Sequence, residues 1–90
     1  MHMYLDQLRG FETVVRLGTV TRAAEALHLA QPSLSRQLAA LEDDLGARLL
    51  DRGRRGVVPT EAGRALLPHA RRILADADAA RRELGDHAGL

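Results

Sequence analysis

Residues 20–45 read VTRAAEALHLAQPSLSRQLAALEDDL. The first part of this stretch predicts a short helix over 20–27, which Thr19 caps at its start. A second helix begins near Gln31 and continues to about Leu45, with leucines at three- and four-residue spacing on its buried side. Only three residues separate the two helices. A short turn between a helix of small residues and a longer amphipathic helix is typical of the helix-turn-helix motif.

The segments on either side of this motif predict a third helix and a small hairpin. Apolar residues at helical spacing indicate a helix over about 4–17, and Gly18 suits the left-handed cap at its end. Downstream, two β-compatible runs at 49–52 and 57–59 flank a glycine-bounded tip, which is typical of a hairpin. The sequence therefore predicts a mainly α, winged helix-turn-helix domain over residues 1–59, with three helices and a β-hairpin wing.

A long last helix is predicted over residues 61–84, within a segment at 60–90 that we expect to dimerise. Gly85 is expected to end this helix, with residues 86–90 frayed. Apolar residues recur along it at alternating spacings of four and three, as in a coiled coil. Because a small body cannot cover so long a helix, we expect this apolar seam to pair with a second copy. The seam consists of Leu66, Ala70, Ile73, Ala77, Ala80 and Leu84.

The composition narrows the classes of function. The chain has 90 residues, no cysteine and a net charge of +1, so it forms one small domain without disulfides or thiolate metal sites. Its two aromatic residues are too few for a platform that stacks single-stranded bases. The four histidines lie far apart, and no glycine-rich phosphate loop follows a strand. We therefore expect neither an enzyme nor a metal or cofactor site.

Neither a membrane helix nor a secretory signal is indicated. No window approaches the length of apolar sequence that crosses a bilayer. The start, Met1-His2-Met3, lacks the basic and then apolar pattern of a signal peptide. We expect a cytoplasmic protein that does not bind membranes.

The exposed side of the second motif helix has the character of a DNA-reading surface. A helical wheel places Pro32 and Arg36 outward, with Ser33 and Ser35 on the flanks. A polyanion would approach the N-terminal end, which has free N–H groups and the positive end of the helix dipole, rather than the acidic C-terminal half. In a major groove, Arg36 would contact a guanine and Gln31 an adenine. The alternative for an isolated helix is an ordinary solvated face.

The predicted hairpin adds a basic tip. Arg52, Arg54 and Arg55 place three positive charges within four residues, between two glycines that allow close approach. Such a tip suits a wing that follows phosphates or inserts an arginine into a minor groove. A run of charge alone is usually solvated, but its place directly after a helix-turn-helix favours the wing.

The sequence is similar to the LysR-type transcriptional regulators in four separated stretches. Those stretches are residues 21–37, 41–46 (LEDDLG), 49–52 (LLDR) and 59–63 (PTEAG). Their agreement in spacing makes the resemblance specific, and it extends over about residues 4–75. It implies a winged helix-turn-helix followed by a linker helix.

The resemblance further implies a homodimer and an additional domain. Linker helices of the family pair antiparallel, and the first helix, here with Leu5 and Leu8, helps to bury that contact. Family members carry a C-terminal domain that binds an effector, so we expect this chain to be the DNA-binding half of such a regulator rather than a natural truncation. Its expected partners are a second copy and double-stranded operator DNA with an interrupted palindrome, T and A at the palindrome ends and an AT-rich centre.

The resemblance also implies roles for individual residues. The wing arginine that enters the minor groove in family members maps best to Arg55. Thr21 and Arg22, at the start of the first motif helix, correspond to phosphate contacts. One departure is Ala30, where the family often has a serine that would cap the next helix. The contacts implied on the second motif helix are Gln31, Pro32, Ser33, Ser35 and Arg36.

The predicted function is therefore sequence-specific DNA binding by a bacterial transcription regulator, in the cytoplasm and associated with the nucleoid. Two alternatives stay open. The last helix could form a coiled coil with a different protein, in which case complexes would form without salt-dependent affinity for DNA. A MarR-like winged helix is the other alternative, although that family usually has a longer wing and N-terminal dimer helices.

Overall fold

The computed structural model describes residues 3–87, the last two by their backbone alone. Four helices and one hairpin follow each other in this part of the chain. They are α1 (Leu5–Leu17), α2 (Val20–Leu27), α3 (Gln31–Leu45), β1 (Leu50–Gly53), β2 (Gly56–Pro59) and α4 (Glu61–His87). The predicted fold class and order of elements are confirmed. No helix among these residues is both long and apolar enough to cross a membrane.

The turns of the helix-turn-helix are closed by local capping. Thr19 is the N-cap of α2, and its Oγ1 accepts a hydrogen bond from the Arg22 N–H over 3.1 Å, as predicted. His28 ends α2 in the left-handed conformation, with φ at 57°. The Leu29 N–H then returns to the Ala24 carbonyl over 2.9 Å, which closes the turn before α3.

The core forms where α1 crosses the two helices of the motif. Phe11 and Leu8 of α1 and Leu34 and Leu41 of α3 are fully buried within it. Gly10 allows the crossing to be close, because a Cβ at this position would lie 2.8 Å from Cδ1 of Leu34. The leucine stripe predicted for α3 is thus the side that packs on α1.

The base of the hairpin is held against the body of the domain, which α1, α2 and α3 form together. Leu49 and Leu50 donate their N–H groups to one carboxylate oxygen of Glu42, over 2.7 and 3.3 Å. On the opposite strand, the Val57 N–H donates to the Gly18 carbonyl over 2.8 Å. These bonds connect the hairpin to the end of α3 and to the turn after α1, so the body fixes the direction of the tip.

The last helix starts tightly against the hairpin and ends later than predicted. Thr60 caps it through a bond from the Gly63 N–H over 3.1 Å. The prediction that Gly85 ends α4 is wrong, because the helix continues through Gly85 to His87. Glycine permits a left-handed end but does not impose one, and helix-favouring residues precede it. Of the residues predicted to fray, 86 and 87 are helical and 88–90 lie outside the described residues.

The first half of α4 packs on α1 and belongs to the body. Ala70 and Leu74 are buried in the core. Outside this apolar contact, Arg9 of α1 forms an ion pair with Asp78 over 3.1 Å, and Arg71 approaches Glu12 over 3.6 Å. The helix therefore leaves the body in a direction set by α1.

Candidate nucleic-acid interface

The exposed face of α3 is the one that the helical wheel predicts. Gln31, Pro32 and Arg36 are exposed, whereas Ser33 and Ser35 are half-buried on the flanks. The exposed residues that follow along the same face are Ala39, Ala40 and Asp43. Polar and basic groups therefore occupy the first turns, two alanines without hydrogen-bonding side chains follow, and an acidic residue lies near the C-terminal end.

Two hydrogen bonds orient side chains at the N-terminal end of α3. The hydroxyl of Thr21 in α2 donates to Oε1 of Gln31 over 3.2 Å. The guanidinium of Arg36 donates to the Ser33 hydroxyl over 3.4 Å, one turn earlier on the helix. The start of α2 thus contributes to the same surface as the start of α3, with Arg22 exposed beside them.

The wing separates the three predicted arginines into two groups. Arg54 and Arg55 are exposed at the turn between the strands. Arg52 is exposed as well, but it lies opposite Val57, and opposed residues project from the same side of a hairpin. Since Val57 is buried against the body, Arg52 points to that side and lines an open depression with Glu42 and Asp43.

The charge distribution favours binding of an anion at the start of α3 and at the wing tip, and not at the C-terminal end of α3. Arg22, Arg36, Arg54 and Arg55 are exposed around the start of α3 and the wing tip. The acidic residues of α3 lie toward its C-terminal end, where Glu42 is engaged with the backbone of the hairpin. A chain with almost no net charge can therefore still present a basic surface to a polyanion.

The predicted dimer face is only partly available in the protomer. Leu8 and Ala70 are 1% and 0% exposed, so they have no surface left for a partner, which corrects the prediction at these two positions. They are buried because α1 and α4 pack directly on each other. Leu66, Ile73 and Ala77 are half-buried, whereas Leu5, Ala80 and Leu84 are exposed, with Leu84 at 68%.

Three features of the site and of the fold beneath it were not predicted from the sequence. Glu42 anchors the wing root, Thr21 bonds to Gln31, and Leu74 is buried in the core. The signal for Leu74 was present, since it follows Ala70 by one helical turn. The other two are hydrogen bonds between groups of different elements, one to backbone N–H groups and one between two side chains, and sequence spacing carries no signal for such contacts.

A protein-family comparison matches most of the chain. The family model described as "Bacterial regulatory helix-turn-helix protein, lysR family" matches residues 5–64. Among curated proteins, the nitrogen assimilation regulatory protein nac of Klebsiella aerogenes is 53% identical over 72 residues. That match covers 80% of this chain and 24% of the relative, so the chain spans about a quarter of the length of the regulators it resembles.

Solved structures agree with this match. The CbnR_DBD–DNA complex superposes with a TM-score of 0.85 at 43% identity and covers 96% of this chain and 99% of that one. The BenM_DBD/catB site 1 DNA complex gives a TM-score of 0.89 at 40% identity, with 96% and 97% coverage. The similarity favours a LysR-type over a MarR-like winged helix. The names of the curated relatives describe regulatory and transcriptional activation proteins, in agreement with the expectation that the chain is not an enzyme.

Proposed function

This chain belongs to the LysR family of bacterial regulatory helix-turn-helix proteins, and we propose that it is the sequence-specific, double-stranded DNA-binding domain of a transcription regulator. The observation that supports this most is the exposed N-terminal end of α3, which carries Arg36, together with the exposed arginines at the wing tip. Similarity over almost the whole chain to two domains solved with DNA adds to it. In this proposal α3 enters the major groove and the wing reaches the adjacent minor groove.

The proposed roles follow the chemistry of each side chain. Arg36 forks onto a guanine, and Gln31 contacts a neighbouring base edge. Arg55 enters the minor groove, while Arg22 pairs with phosphates. The remaining residues proposed to form this surface are Thr21, which bonds to Gln31, and Pro32, Ser33, Ser35, Arg52 and Arg54. Of these, Arg52 would contact a phosphate beside the wing rather than the groove floor, because its side chain projects toward the body.

A homodimer is the proposed assembly. The exposed part of the apolar seam, with Ala80 and Leu84, extends beyond the body and leaves apolar surface uncovered in the protomer. Leu5 and the half-buried Ala77 add to the same proposal. Two antiparallel copies of α4 would place two copies of α3 on half-sites related by a two-fold axis. The proposed operator is an interrupted palindrome with T and A at its ends and an AT-rich centre.

The division of labour within the chain also stays a proposal. Residues 1–59 would supply the DNA contacts, and residues 60–90 would supply the linker and the dimer contacts, to which Leu5 adds. Because Ala70 and Leu74 are buried in the core, the first half of α4 also stabilises the DNA-binding part of the chain. Any effector would bind to a part of the regulator outside this chain, and the regulator would act on the nucleoid in the bacterial cytoplasm.

Replacing Arg36 tests the proposed base contact. A duplex is first selected from a random pool by the wild-type chain, and a scrambled duplex of the same composition serves as reference. Arg36→Ala is expected to weaken binding to the selected duplex by roughly 1–3 kcal/mol, about 5- to 150-fold, because a forked contact to a base is lost. Binding to the scrambled duplex should change much less. Fluorescence anisotropy titrations measure both dissociation constants.

The matched control is Arg82→Ala, which removes the same charge from an exposed position on α4. It should leave the preference between the two duplexes unchanged. Equal losses on both duplexes for Arg36→Ala would show that Arg36 contacts phosphates only. Failure to select any duplex, together with a stable α4-mediated complex, would instead support a coiled-coil interaction module.

A further inference from the structure

Thr21 and Gln31 connect the two helices of the motif at the surface proposed to meet DNA. Thr21 lies in the first turn of α2, and Gln31 is the first residue of α3. The Thr21 hydroxyl donates to Oε1 of Gln31 over 3.2 Å, and both residues are exposed. The hydrogen bond therefore connects Thr21, which is expected to contact a phosphate, to Gln31, which is expected to contact a base.

The hydroxyl chemistry makes these two roles of Thr21 exclusive. A threonine hydroxyl has a single proton, and phosphate oxygens only accept hydrogen bonds. While Thr21 donates that proton to Gln31, it has none for a phosphate. Arg22 is exposed at the adjacent position and carries five N–H donors, so it can make the phosphate contact at the start of α2 without Thr21.

The same bond restricts the Gln31 side chain before DNA arrives. A glutamine on an exposed helix start would otherwise sample several rotamers, and ordering them on binding lowers affinity. With one lone pair of Oε1 held by Thr21, the carboxamide keeps its Nε2 donors and its second lone pair for a base edge. Ordering of one such side chain corresponds to roughly 3- to 10-fold in affinity.

We propose that Thr21 is a positioning residue for base recognition, which orients the carboxamide of Gln31 instead of contacting the DNA backbone. The inference rests on the proposed function, since Gln31 must face a base for its orientation to affect affinity. It replaces the phosphate role that the family resemblance implied for Thr21 and assigns that role at the start of α2 to Arg22.

A double-mutant cycle separates the two roles. Thr21→Val keeps the shape of the side chain but removes the hydroxyl, and Thr21→Ser retains the hydroxyl as the matched control. Thr21→Val is expected to weaken binding to the selected duplex by roughly 3- to 10-fold and to the scrambled duplex by less than about 2-fold. Thr21→Ser should bind like the wild type. In a Gln31→Ala background, Thr21→Val should cause no further loss.

Two results would overturn the proposal. One is an equal loss on both duplexes that persists in the Gln31→Ala background, as a phosphate contact requires. The other is unchanged binding of Thr21→Val to the selected duplex. Thermal unfolding of each variant, followed by circular dichroism, ensures that the compared chains are folded.

A measurement without DNA keeps this inference distinct from the proposed function. The side-chain amide resonances of Gln31 in a ¹H–¹⁵N correlation spectrum should shift in Thr21→Val and stay in place in Thr21→Ser. Unshifted resonances in Thr21→Val would exclude the hydrogen bond and with it the positioning role. If the wild-type chain prefers no duplex but these resonances do shift, the proposed function fails while the contact between Thr21 and Gln31 stands.

Discussion

At the scale of single residues, Gly63 determines how closely α4 can approach the hairpin. The Thr60 N–H donates to the Leu49 carbonyl over 2.9 Å, so the helix starts directly beside this backbone. A Cβ on Gly63 would collide with the Leu49 carbonyl oxygen and lie 3.2 Å from Cβ of Pro59. Unlike the end of a flexible side chain, a backbone carbonyl held by hydrogen bonds cannot move aside cheaply.

Gly63→Ala is therefore expected to destabilise the chain, although alanine favours a helix by about 1 kcal/mol over glycine. Overpacking against backbone should outweigh that gain and lower the free energy of unfolding by roughly 1–3 kcal/mol. Gly85→Ala is the matched control, because Gly85 is also in α4 and nothing lies within 4 Å of its added Cβ. The control should be neutral or stabilising. Urea unfolding gives both values, and a neutral Gly63→Ala would refute the close approach.

Much of the residue-level site was predictable because helical periodicity assigns faces. The pattern of Leu34, Leu38 and Leu41 already placed Pro32 and Arg36 on the exposed side of α3. The anchoring of the wing root by Glu42 was not predictable, since it depends on where the Leu49 and Leu50 N–H groups lie in three dimensions. Periodicity describes one element at a time and carries no information about such contacts.

At the scale of elements, the sequence predicted the bounds of α2 and α3 as observed but not the end of α4. Caps that act through side chains or positive φ, as at Thr19 and Gly18, are local and readable from residue type. Gly85 is a glycine like Gly18, but its backbone is helical and not left-handed, so the residue type alone predicted the wrong end for α4. The apolar seam was likewise predicted from the spacing within α4 alone. The packing of α1 against α4 decides which seam residues stay exposed.

The exposed end of the seam leads to a prediction about assembly. Leu84→Glu places a charge in the proposed contact between two copies of α4, where it would lose hydration without a partner. The chain should then sediment as a monomer at concentrations where the wild type is dimeric. Since Leu84 is 68% exposed in the protomer, the free energy of unfolding of the body should change little. Analytical ultracentrifugation measures the mass.

The control for this prediction is Arg82→Glu, which reverses a charge two residues away, on the other side of the helix. It should leave the dimer intact. A dimer that persists in Leu84→Glu would place the contact elsewhere. Ile73 is a poorer probe than Leu84, because it packs against the core and a charge there would disturb the fold itself.

At the scale of the whole molecule, α4 gives the chain its elongated form. The described residues extend over 48 × 26 × 20 Å, and a helix of 27 residues accounts for about 40 Å of length. Two such helices side by side would hold two bodies apart at a fixed distance. In the proposed dimer, the length of α4 and its anchoring on α1 together determine the spacing of the half-sites.

The low net charge of the chain predicts that DNA affinity depends on a few grouped arginines. With 13 basic and 12 acidic residues, net attraction to DNA is almost absent. Affinity would therefore come from the arginines grouped around α3 and the wing, and it should depend on how many phosphates they reach. A dimer that contacts 6–10 phosphates loses roughly 10³- to 10⁵-fold in affinity between 50 and 200 mM salt.

The central claim, recognition of a palindrome by a dimer, is tested most directly by anisotropy titration with two duplexes at those two salt concentrations. One duplex carries an interrupted palindrome with T and A at its ends and an AT-rich centre, and the other carries the same bases scrambled. We predict preference for the palindrome, two chains per duplex and the steep salt dependence given above. Equal binding to both duplexes, or no binding at either salt concentration, would contradict it.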